Sequence, residues 1–114
     1  MQMSEEEFDD LVANELDNLP DHVLEGVDNL VFMVEDRPED GSDTLGVYEG
    51  FSVVDRSMYG YGEMPDRIVL YRENLLKMCE SREHLAEEVH ITLVHELAHY
   101  FGIDEKRLHE LGWG

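Results

Sequence analysis

From Ser81 to Gly102 apolar residues return every three or four positions, with Leu85, Val89, Thr92, Leu93 and Leu97 forming one stripe. That is the period of an α-helix that must bury one face. Ser81 is placed to cap its start and Gly102 to stop its end. A helix of about twenty residues is about 30 Å long, the width of a small domain, so the remaining chain has to fold against it. With 114 residues the chain can form one domain, spanning 1–114, that buries roughly two thirds of its unfolded surface; two domains would not fit.

The elements available for that packing follow from local pattern. Ser4 and Glu7 fit a capping box, and Phe8, Leu11, Val12, Leu16 and Leu19 recur at helical spacing until Pro20. Asp21 to Gly26 holds one further turn. Leu30 to Val34 is an apolar run of strand length, closed by the EDRPEDGSD loop. Leu45, Val47 and Phe51 alternate around Gly46 and Tyr48 as a second strand, which leaves through SVVDRS and the glycine-rich MYGYGEMP loop. DRIVLY, with Ile68, Val69, Leu70 and Tyr71, is the third strand and leads into a helical ENLLKMC segment. After the long helix, Asp104 can cap a short one, EKRLHEL, which ends at Gly112. Helices and a small sheet in this order predict an α+β domain, with no βαβ nucleotide unit.

Charge removes several function classes. Acidic residues number 28 against 8 basic ones, a formal charge of -20, which repels phosphate backbones and anionic headgroups. Nucleic acid and membrane surfaces are therefore not expected partners. The acidic N-terminus lacks the basic and apolar regions of a secretory signal, and no stretch approaches the ~20 apolar residues of a membrane span. A single cysteine, Cys79, cannot form an internal disulfide and is expected as a buried, inert thiol. A cytoplasmic location is expected, and a monomer is compatible with the sequence.

The long helix carries HELAH at 95–99. His95 and His99 lie about 40° apart around the axis and about 6 Å apart along it, so both imidazoles can reach one metal ion. Glu96, about 100° round from His95, suits a carboxylate that holds the attacking water without ligating the ion. HExxH is the zincin signature for this reason. With 6 histidines in the chain the motif arises by chance roughly once in twenty such sequences, so context has to carry it. Here it lies near the end of a helix, and the glycine stop follows after two residues. Val94, Leu97, Ala98 and Phe101 surround the motif, and histidines in apolar surroundings need a partner, which an ion supplies. His90 stands about 140° away from His95 on the helix; it, His22 and His84 are expected to face solvent.

Zinc in an enzyme takes three protein ligands and leaves a fourth position open. Only fifteen residues follow His99, so the third ligand is expected just past Gly102, where a left-handed glycine can swing the chain back. In the metzincin arrangement, HExxHxxG and then a ligand after two intervening residues, the third ligand position falls on Glu105. Asp104 is the next choice and His109 a third.

LGVYEG, PDRIVLYRENLL and VHELAHYFGIDEKRLHELGW together resemble the small bacterial zincin-like metallopeptidase family, single-domain proteins close to a minimal zincin core. The resemblance implies a minimal zincin-like α+β fold with a three- to four-stranded sheet, an active-site helix and further packed helices. It implies one Zn2+ at His95, His99 and Glu105, with Glu96 as catalytic acid/base, acting on a peptide or protein substrate. Unlike metzincins proper, the third position is acidic and every methionine lies upstream of His95. In zincins the strand before the active helix lines the cleft and pairs with extended substrate; that role is expected of Ile68 to Tyr71 in DRIVLY. Tyr59 or Tyr61 is a candidate oxyanion partner. The alternative functions are a zinc-binding module of structural or protein-binding role with little or no hydrolysis, and an acidic docking protein for a basic partner.

Overall fold

A computed structural model of the chain describes residues 1–50, 65–103 and 105–110. The first helix, α1 (Glu5–Asp17), starts where the capping box places it: the Ser4 hydroxyl accepts from the Glu7 amide and donates to the Glu7 carboxylate. A single turn, α2 (Asp21–Glu25), follows Pro20. Then come β1 (Leu30–Glu35), β2 (Gly46–Glu49) and β3 (Asp66–Tyr71), with α3 (Arg72–Met78), the long α4 (Arg82–Tyr100) and α5 (Glu105–Glu110) closing the order. Ser81 caps α4 as expected, its hydroxyl accepting from the His84 amide at 3.0 Å. Among the described residues no helix is long and apolar enough to cross a membrane.

The fold is α+β, with a three-stranded mixed sheet in the order β1-β3-β2. β3 pairs with β1 in parallel and with β2 antiparallel. This explains the uninterrupted apolar run in DRIVLY: Ile68, Val69, Leu70 and Tyr71 are all buried, because a central strand is covered on both faces. It also corrects the role expected of that strand. From Arg67 to Leu70 its partners are already supplied on both sides, so no peptide can add to it. Among the described residues the strand edge nearest α4 belongs to β2. Phe51 and the SVVDRS and MYGYGEMP segments lie outside the described residues.

One core joins the layers. Phe8, Leu11, Val12 and Leu19 from α1 and its exit meet Ile68 and Leu70 of β3 and the Leu85, Val89, Leu93 and Leu97 stripe of α4, all 7% exposed or less. Leu30, Phe32, Val34 and Tyr48 pack around this cluster. Cys79 is buried beside it at the end of α3, and burial pushes its thiol pKa up, so it stays protonated and unreactive. Leu93 has no exposed surface, and shortening it leaves a void between helix and sheet. Leu93→Ala is expected to lower unfolding free energy by about 2–5 kcal/mol, read from urea denaturation midpoints at constant m.

Polar contacts then fix where β2 sits. The Asn74 amide of α3 donates to the carbonyls of Ser42 and Thr44 at 2.9 and 2.8 Å, holding the loop that leads into the strand. Tyr48 donates to the Asp66 carboxylate at 2.5 Å, tying β2 to the start of β3.

Candidate metal centre

The three residues of the HELAH motif with donor side chains converge as the helical spacing requires. Ligand atoms of His95, Glu96 and His99 all lie within 4.8 Å of one another, a group that could hold a metal ion. The two imidazoles stand edge to face with centroids 4.8 Å apart and planes at 63°. His99 Nδ1 is 3.6 Å from Glu96 Oε1, close enough for charge to be felt and too long for a hydrogen bond.

Burial divides the roles within the group. Glu96 is 6% exposed and points toward the packed side of α4, whereas the His99 side chain keeps 37% of its surface and His95 is half-buried. Of the apolar neighbours in sequence, Leu97 and Ala98 are buried and Val94 and Phe101 half-buried. Both histidines are thus half-buried rather than enclosed, and the group they form with Glu96 could hold the ion expected as their partner. An open side is what a site acting on an external molecule requires.

Past the motif the helix ends in a Schellman turn. Gly102 takes φ 77°, its N–H bonds the His99 carbonyl at 3.0 Å, and the Ile103 N–H bonds the Ala98 carbonyl at 2.9 Å. Both bonds satisfy carbonyls that a helix end leaves orphaned. Only glycine adopts that φ without strain, so the HxxG spacing reads as a chain reversal directly after His99. Glu105 opens α5 just beyond the turn. Its side chain, that of His109 and the whole of Asp104 lie outside the described residues, as do Tyr59 and Tyr61.

The other histidines stand apart from this group. His90 approaches Glu15 of α1 at 3.7 Å and His84 approaches Glu88 at 3.7 Å, each with about two fifths of its side chain exposed. The expected solvent-facing placement holds in part, since each also has a carboxylate neighbour. The His22 side chain lies outside the described residues.

Several residues around the site escaped sequence reasoning. Tyr100 is 1% exposed; its hydroxyl donates to the Asp28 carbonyl at 2.5 Å and accepts from the Asp28 amide at 2.9 Å, anchoring the end of α4 to the segment before β1. Its ring meets Tyr48 of β2 edge to face at 6.1 Å. The one sequence signal is a tyrosine inside a buried helix, which needs a partner for its hydroxyl but does not say which.

Comparison with known proteins agrees with this fold. A conserved hypothetical protein from T. thermophilus matches the fold with a TM-score of 0.58 at 23% identity, over 87% of this chain and 94% of that one. No curated protein matches the chain in sequence. The family model for Zincin-like metallopeptidase matches residues 27–113, from just before β1 to the far side of the reversal turn. A helix carrying His95, Glu96 and His99 on a small mixed sheet is thus found in a chain that belongs to the Zincin-like metallopeptidase family.

Proposed function

We propose that this protein is a zinc-dependent metallopeptidase that hydrolyses peptide bonds, with one Zn2+ held by His95, His99 and Glu105. The observation that carries the reading is the convergence of two imidazoles and a buried carboxylate within 4.8 Å on a helix whose histidine side is open to solvent. The donors suit the ion, since zinc takes imidazole nitrogen and carboxylate oxygen readily and needs an accessible position for chemistry.

When bound, zinc acts as a Lewis acid that makes a neighbouring water more acidic and polarises the peptide carbonyl. Glu96 does the proton work. From its buried place beside the histidines it takes a proton from the attacking water and passes it to the departing amine nitrogen. The extended substrate aligns along β2, whose outer edge is unpaired among the described residues and which packs directly on α4. The charge of -20 draws basic peptides toward the surface.

Metal analysis of purified protein, paired with hydrolysis of a mixed peptide library that includes basic sequences, tests this function. One zinc per chain with cleavage supports it; full zinc loading without cleavage favours a structural zinc module instead. The third ligand has its own test. Glu105→Ala is expected to lose zinc on dialysis while Asp104→Ala keeps it, and the reverse pattern in metal analysis would reassign the ligand.

A further inference from the structure

Gly46 lies in β2 facing α4, at a point where the two elements touch. A Cβ built there would stand 2.6 Å from Thr92 Cγ2, 3.0 Å from the Val69 carbonyl oxygen and 3.1 Å from Leu70 Cδ2. Carbon atoms rest about 3.5–4.0 Å apart, so a methyl group at this position would force helix and strand apart by about 1 Å. Thr92 cannot swing aside. Its hydroxyl donates to the Glu88 carbonyl at 2.8 Å, which holds the rotamer and leaves the methyl aimed at the strand. Thr92 is 8% exposed and sits one helical turn before Glu96.

We propose that Gly46 is a positioning residue for peptide binding, an inference that rests on the peptidase reading. Its bare backbone seats the metal-binding helix one methyl closer to β2, and so sets the separation between the HELAH side chains and a peptide aligned on the strand. His95, Glu96 and His99 ride on one helix and move together. A wedge at Gly46 therefore changes their distance to β2 without changing their distances to one another. Misplacement by about 1 Å is enough to cost about 100-fold in a positioned reaction.

The test uses zinc-loaded, full-length protein and two probes. Acetohydroxamate needs only the ion, whereas an N-acetylated tripeptide hydroxamate also needs the strand. Gly46→Ala is expected to weaken the tripeptide probe about tenfold or more while zinc content and acetohydroxamate affinity stay at wild-type values. Adding Thr92→Ser, which deletes only the obstructing methyl, should restore most of the loss. Thr92→Ile keeps the methyl that faces Gly46 and enlarges the side chain at the hydroxyl position, so it crowds the same helix–strand contact from the helix side and should weaken the tripeptide probe in the same direction even if Gly46→Ala alone is too unstable to purify. Unchanged tripeptide affinity in the wedge variants, or a folded double variant that stays weak, overturns the role of Gly46. A wild-type protein that binds zinc and acetohydroxamate without preferring the tripeptide probe overturns substrate alignment on β2, and this role with it. Failure to bind zinc at all overturns the metal centre itself.

Discussion

Glu96→Gln is expected to keep a full complement of zinc and to lose about 10²–10⁴-fold in kcat/KM, the usual contribution of a positioned general acid or base. The two side chains have nearly the same shape, and at 6% exposure Glu96 sits in a place where shape matters more than solvation. The substitution therefore removes proton transfer while leaving the packing and both imidazoles in place. Zinc content by atomic emission and initial rates on one cleavable peptide, measured on the same preparation, separate the two properties. Undiminished cleavage would remove Glu96 from the chemistry, and lost zinc would make it a ligand.

His99→Ala should produce the opposite pattern, with zinc lost at once and stability falling with it. An ion that binds only the folded chain stabilises it by about 4 kcal/mol at a thousandfold excess over Kd. In a protein of this size that corresponds to about 15 °C in Tm. Wild-type protein should accordingly melt about 15 °C higher with zinc than with a chelator, whereas the variant should melt at one temperature in both. Calorimetry or circular dichroism reads the difference directly. A zinc-induced rise that survived in His99→Ala would place the ion elsewhere.

Much of this arrangement can be read from the chain because its causes are local. Ser4 with Glu7, Ser81 ahead of the long helix, and Gly102 after it all act within a few residues of where they stand, and helical spacing alone brings His95, Glu96 and His99 together. What stays hidden depends on partners far along the chain. DRIVLY announces itself as a strand, but its central place is set by β1 and β2, and an apolar run does not name its neighbours. Gly46 interrupts an alternating pattern for a reason found 46 positions later, at Thr92. The half-burial of the two histidines is illegible for a related cause: how far a helical side chain is covered depends on what distant parts of the chain pack beside it.

The family match begins at residue 27, after α1. Yet Phe8, Leu11 and Val12 of that helix share a core with Leu85, Leu93 and Leu97 of the helix that bears the histidines. A relative lacking this leading segment would have to repaint that flank with polar residues or borrow a greasy surface from another chain. The opening helix is thus the backrest against which the histidine-bearing rod is braced.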